Sequence, residues 1–198
     1  MTLVRHGRTN ANASHLLQGH IDNDLDDVGR EQAALLGGAL DALARVDRIV
    51  ASPLMRAQQT ADAIARSCGR GVTIETDRRW IELDYGDFDG KPLSHVSPET
   101  WAEWRANPEF RPPGGESMAE LDRRVRGALA ELASDGRGSH IVVVSHVSPI
   151  KAAVAWALGV DIGVSWRTAL DRASMSTIRL DAQRPALKTF NVTVHPEK

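Results

Sequence analysis

Two histidines in this chain stand directly after short apolar runs: His6 after Leu3-Val4-Arg5, and His146 after Ile141-Val142-Val143-Val144-Ser145. Such runs read as buried strands. An open α/β sheet gathers its ligands at the carboxyl ends of its strands. An imidazole at that edge, between Arg5 and Gly7, suits phosphate. The guanidinium fork matches phosphate oxygens, and glycine lets backbone approach an anion closely. Thr9, Asn10 and Asn12 follow as donors and caps, with Asn12 a neutral donor toward the same anion. Arg56 falls in the first turn of a helix opening after Ser52-Pro53. There the backbone amides and the helix dipole already favour negative charge. The candidate carboxylates of the set are Glu82 and Asp84. Both alternate with apolar residues in Trp80-Ile81-Glu82-Leu83-Asp84 and so share a side of an extended segment. The plain alternatives are a solvated loop histidine and a surface arginine. The repetition of a strand-end histidine weighs against them.

The elements that must position these groups follow from periodicity. Asp26 or Asp27 caps a helix running to about Arg45, with Leu35, Leu36, Ala39, Leu40 and Leu43 at helical spacing. Residues 49–51 read as a short strand and 72–74 as another, with the Arg56 helix between them. Residues 91–116 are polar and Pro-rich. Trp101 and Trp104 lie there at i and i+3, on one helix face; packing is favoured over substrate contact for both. Ser117 and Glu120 form a capping box opening a helix with Leu121, Val125, Ala128, Leu129 and Leu132 inward. Residues 141–146 are the clearest strand, followed by a helix over 150–158. Residues 174–180 and 187–194 close the chain as strands, and the last few residues are expected to fray.

Arg5-His6-Gly7-Arg8-Thr9-x-x-Asn12 resembles the Arg-His-Gly-x-Thr-x-x-Asn signature of the histidine phosphatase (phosphoglycerate mutase-like) superfamily. Three further stretches match that family in order. They are Ser52-x-x-x-Arg56-Ala57-x-x-Thr60-Ala61, Glu82-x-x-x-Gly86-x-x-x-Gly90, and Pro113-Gly114-Gly115-Glu116-Ser117. The resemblance implies a three-layer α/β/α fold with a mostly parallel central sheet. It makes residues 1–198 a single domain, with a variable cap at about 84–116. It implies that His6 is phosphorylated during turnover, that Glu82 is the proton donor, and that Gln18 and Gly19 line the substrate entrance. Phe88 and Asp89 depart from the family, which often has Trp and Glu there. His146-Val147 replaces the usual His-Gly; the Val147 amide remains a donor for phosphate. Asp87 and Asp89 read as parts of a solvated loop.

On this reading Arg5, Arg56 and a protonated His146 neutralise the phosphate, and His6 attacks phosphorus as a neutral imidazole with its other nitrogen on a fixed acceptor. Glu82 enters protonated, then activates water. No cofactor is expected and no metal: the seven histidines form no His-x-x-x-His pair and there is no cysteine cluster. The favoured reading is a phosphomonoesterase of the small-phosphatase type acting on a small phosphorylated metabolite. The alternatives are a mutase and, from another class, an inactive phosphate-ester-binding module. At 198 residues and net charge −2, nothing pulls the chain toward nucleic acid or an anionic membrane. The single Cys68 excludes an internal disulfide and fits the cytoplasm. No leader is expected, because the first strand starts at residue 2. The closing strands offer an edge that a second copy could pair with, so a homodimer stays open.

Overall fold

Leu3 and Val4 point to opposite faces of one sheet, and each meets a different helical layer. The computed structural model describes residues 1–69, 71–135, 138–181 and 184–194. The strands are β1 (Thr2–Arg5), β2 (Arg48–Ala51), β3 (Ile74–Thr76), β4 (Ile141–Ser145), β5 (Ser174–Arg179) and β6 (Ala186–Thr193). They form one sheet in the order β3-β2-β4-β1-β5-β6. β1, β2, β3 and β4 pair in parallel, and β5 runs against both of its neighbours. The helices are α1 (Asn10–Ala13), α2 (Asp27–Leu43), α3 (Met55–Ser67), α4 (Pro98–Ala106), α5 (Met118–Asp135) and α6 (Val147–Leu158).

Side-chain alternation along the strands builds the two sides of the core. Leu3, Val50, Ile141 and Val143 pack with Leu121, Val125, Leu129 and Ile150 of α5 and α6. Val4, Ile49, Val142 and Val144 pack with Leu36, Leu40, Ala57 and Ile64 of α2 and α3. The result is the expected three-layer α/β/α arrangement, and burial of each of these Leu, Ile and Val side chains stabilises by roughly 1.5–3 kcal/mol. The central strands read as unbroken apolar runs because both faces are covered.

Several boundaries move, each for a local reason. Strand β3 sits two residues later than expected. It is an edge strand with exposed faces, and its Glu75 pairs with Arg48 at 2.6 Å, so apolarity does not mark it. Leu36 and Leu40 form the buried stripe of α2, while Leu35 and Leu43 face outward at 50% and 70% exposure. Helix α3 begins with Leu54 as its cap, and no side chain of its own caps it; Asp22 accepts from the Met55 amide instead, at 2.6 Å. Helix α6 begins at Val147, three residues before the expected start. Pro149 lies in its first turn, where a missing N–H costs nothing. The capping box holds: Glu120 N–H donates to Ser117 Oγ at 3.2 Å and Ser117 N–H to Glu120 Oε2 at 3.0 Å. Strands β5 and β6 fall within one residue of expectation. The fraying expected of the tail concerns residues 195–198, which lie outside the described residues.

Over the sheet edge, Trp104 is fully buried among Tyr85, Trp101, Phe110 and Trp166, with ring centroids 5.4–6.2 Å away. This cluster fastens the segment around α4 to the body, the packing role expected of Trp104.

Candidate active site

The register of the sheet puts the two histidines side by side. Arg5 of β1 pairs with Ser145 of β4, and the next amide, that of His6, donates to the Ser145 carbonyl at 3.0 Å. The His6 and His146 rings lie 5.1 Å apart. Both residues are buried. His6 Nδ1 lies 2.7 Å from the Gly7 carbonyl, which can only accept, so Nδ1 carries the hydrogen and Nε2 is left bare. Burial, then the charges of Arg56 and Arg5, hold the His6 pKa well below the usual histidine value, so the ring is neutral. Burial, with Arg56, His6 and Arg5 adding to it, does the same to His146. Sequence reading expects His146 to be protonated with phosphate bound; burial and the neighbouring cations act on the ring in the opposite direction. Its Nε2 meets Ser52 Oγ at 2.7 Å, and its buried Nδ1 has no partner among the described residues.

Arg5 donates to the Leu170 carbonyl through Nη1, while its buried Nε is unpartnered among the described residues. Burial lowers its pKa to about 10, with the Glu82 charge acting in the other direction. Arg56 is fully buried. Its guanidinium donates to the carbonyls of Gln18, Gly19 and Ile21 at 3.3, 2.8 and 2.9 Å. Its hydrogen bonds go to carbonyls, and no carboxylate forms an ion pair with it among the described residues, so its positive charge reaches His6. Arg56 and His146 thus lie beneath the open cleft rather than in its wall.

The cleft, about 400 Å³, is lined by Arg5, His6, Asn12, Gln18, Glu82 and Val147, with Tyr85, Asp171 and Arg172 among its outer residues. Asn12 closes a capping box with Thr9: its Oδ1 accepts the Thr9 amide at 3.2 Å. Turning the Gln18 amide over lets its nitrogen donate to Thr9 Oγ1 and its oxygen accept from Arg56. Gly19 does not line the cleft: its amide donates to Asp89 Oδ1 at 2.7 Å and its carbonyl serves Arg56. Gly7, expected to admit an anion, instead admits α2; a Cβ there would lie 2.4 Å from the Gly29 carbonyl oxygen.

Glu82 sits at the amino end of α6. Its Oε2 accepts from the Val147 amide at 3.0 Å, and its Oε1 from Ser148 and Leu83 at 3.1 and 2.8 Å. The Val147 and Ser148 amides are orphan first-turn donors of α6, and with the helix dipole they make a cradle for a carboxylate. The Val147 amide, expected to meet phosphate, is taken by Glu82. The glycine usual at position 147 is not needed for backbone freedom, since His146 caps α6 in extended geometry and Val147 is helical. Asp84 turns away, accepting from the Gly86 amide at 2.9 Å.

The sequence profile of the histidine phosphatase superfamily, branch 1, matches residues 1–193. The chain belongs to that superfamily. Phosphoserine phosphatase 1 of Hydrogenobacter thermophilus is 35% identical over 201 residues, covering 98% of this chain and 93% of that one. A probable phosphoglycerate mutase of Yersinia enterocolitica is 36% identical over 181 residues, covering 89% of this chain and 82% of that one. The solved structure of mycobacterial glucosyl-3-phosphoglycerate phosphatase in complex with VO3 superposes with a TM-score of 0.87 at 27% identity, covering 98% of this chain and 99% of that one.

Several residues that shape the site of this histidine phosphatase were not singled out for it from sequence. Asp89, read as a solvated loop residue, accepts from the amides of Gly19, His20 and Ile21 at 2.7, 2.8 and 2.9 Å and so folds the loop that grips Arg56. Arg124 and the His20 ring donate to the Glu82 carbonyl at 3.1 and 2.9 Å. Ser52, read as a helix start, holds His146. Thr60 accepts the Gly7 amide at 3.2 Å and donates to the Arg56 carbonyl at 2.8 Å. Only Ser52 and Thr60 carried a signal, their places in the Arg56 motif.

Proposed function

We propose that this phosphatase hydrolyses small phosphate monoesters through a phosphohistidine on His6, with no metal. The observation that carries the reading is the bare, neutral His6 Nε2, its Nδ1–H pinned on Gly7, beside Arg5, the buried Arg56 and a carboxylate. The ester phosphate brings close to two negative charges at neutral pH. Arg5 and Arg56 meet that charge, Asn12 adds a neutral hydrogen bond, and His146 packs against the His6 ring from below. His6 Nε2 attacks phosphorus, and the bond to the ester oxygen breaks as that oxygen takes a proton from Glu82. The carboxylate then takes a proton from water, water oxygen attacks phosphorus, and the P–N bond breaks to release inorganic phosphate. A cytoplasmic setting belongs to the proposal and rests on the single Cys68.

The likeness to a probable phosphoglycerate mutase supports one second reading, in which the phosphoryl group returns to another oxygen of the substrate. A panel of phosphorylated metabolites, assayed in parallel for free phosphate and for isomerised ester, separates the two. The proposal expects phosphate release without isomerisation, undiminished by a chelator. Isomerisation without release, or loss of activity on chelation, contradicts it.

A further inference from the structure

Strand β6 breaks its regular pairing at one place, and from there it reaches the wall of the catalytic cleft. Met175 pairs with Val192 and Thr177 with Thr189, so Phe190 and Asn191 together oppose the single Ser176. Such a two-against-one step is a β-bulge, which re-aims a side chain out of the strand's alternation. Asn191 is left-handed there, with φ at 55°. Glycine takes that conformation most readily; asparagine tolerates it and still brings an amide. The Asn191 backbone N–H donates to Ser176 Oγ at 3.1 Å.

The side-chain amide goes to Asp171. Asn191 Oδ1 accepts the Asp171 backbone N–H at 2.7 Å, and Asn191 Nδ2 donates to Asp171 Oδ2 at 2.7 Å. Asp171 and Arg172 border the catalytic cleft. Their segment, residues 170–173, is tied to the site at both ends. The Leu170 carbonyl accepts from Arg5 Nη1, and the Ala173 N–H donates to the His6 carbonyl at 3.1 Å. Ala173 is itself left-handed, with φ at 51°. An alanine stays in that conformation only where its surroundings hold it. The charges of Arg172 and Asp171 both reach Arg5, with opposite effect. A short strap thus links the edge strand, the nucleophile's backbone and the arginine beside it. Neither Asn191 nor Asp171 has a part in the hydrolysis derived above.

We propose that Asn191 is a positioning residue: through Asp171 it holds the 170–173 strap, and with it the Leu170 carbonyl that orients the Arg5 guanidinium toward phosphate. A guanidinium is a rigid planar fork, so fixing one of its five N–H groups sets the direction of the others. The rival role is an amide that only closes the edge of the sheet. A strap acts on anion binding, whereas an edge closure acts on stability alone. The inference rests on the phosphatase reading for the anion that Arg5 meets.

The test follows orthovanadate, a phosphate mimic, by calorimetry and p-nitrophenyl phosphate by kcat/KM. Asn191→Gly keeps the left-handed backbone and deletes the amide. It is expected to weaken orthovanadate binding by about 10-fold or more, the size of one misaligned charge-assisted hydrogen bond, and to lower kcat/KM in step. Asn191→Asp keeps the shape but sets a second carboxylate against Asp171, and it is expected to weaken orthovanadate as much. Adding Asp171→Asn rebuilds the pair with donor and acceptor exchanged, and binding returns to within about threefold of wild type. Melting temperatures that fall while orthovanadate affinity stays at the wild-type value overturn the proposal. So does a double variant as weak as Asn191→Asp alone. Where Asn191→Gly does not fold, Asn191→Asp with and without Asp171→Asn decides. Wild-type protein that binds no orthovanadate overturns it as well. Wild-type protein that binds orthovanadate yet releases phosphate from no ester refutes the phosphatase reading and leaves the affinity ratios to judge the strap.

Discussion

His6 and His146 are kept neutral by burial and by the two arginines beside them. That neutrality serves nucleophilic attack and has a consequence for stability. In the unfolded chain each imidazole binds a proton near pH 6.5; in the folded chain neither does until the pH is well below that. As pH falls through 6.5 the unfolded state takes up protons first, so stability present above that pH is progressively lost. The loss is at most about 1.4 kcal/mol per histidine per pH unit. Melting temperatures of the wild type and of His146→Gln, measured from pH 7.5 to pH 5.5, should diverge, with the variant falling less steeply. Parallel curves would show that His146 is not held neutral. Arg56 illustrates the same economy of burial: its donors are occupied by the carbonyls of Gln18, Gly19 and Ile21, and its charge is what remains for the site.

Among the elements, the loop after α1 depends on a side chain far along the chain. Asp89 accepts three consecutive amides of that loop, and the loop carbonyls in turn hold Arg56. Asp89→Ala strands those donors, at a cost of about 1–3 kcal/mol in stability. It also frees Arg56, so phosphate release is expected to fall by about 10-fold or more in kcat/KM. A loss of melting temperature with kcat/KM unchanged would separate the loop from the site. This contact explains where sequence reading stopped. Strand-end histidines were legible because β-branched runs and their register bring them together locally. Asp89 was not, because its partners lie about seventy residues away and an acidic loop looks solvated. The Glu82 cradle was hidden for a different reason: Pro149 disguised the true start of α6, so the amides of Val147 and Ser148 were not recognised as first-turn donors. Edge strand β3 was misplaced because exposure on its faces removes the apolar signal.

Across the whole molecule, five groups from four separate stretches reach one edge of a mostly parallel sheet. Alternation along β1 and β4 fills both core layers and leaves Arg5, His6 and His146 to emerge at their carboxyl ends. Helix α3 brings Arg56 and helix α6 the amides that hold Glu82. The aromatic cluster around Trp104 fixes the segment around α4 to the body. Fold and phosphate chemistry were legible from the order of the motifs, whereas the hold of Asn191 on Asp171 was not, since it exists only where the bulge of β6 meets the turn before β5. The central claim is that His6 carries the phosphoryl group. Rapid quenching during turnover of a radiolabelled phosphate monoester tests it most directly. The account predicts an acid-labile, base-stable label on the peptide containing His6, and in His6→Ala no label with kcat lower by at least about 1,000-fold. Turnover without label on His6, or a His6→Ala protein that releases phosphate at the wild-type rate, would contradict it.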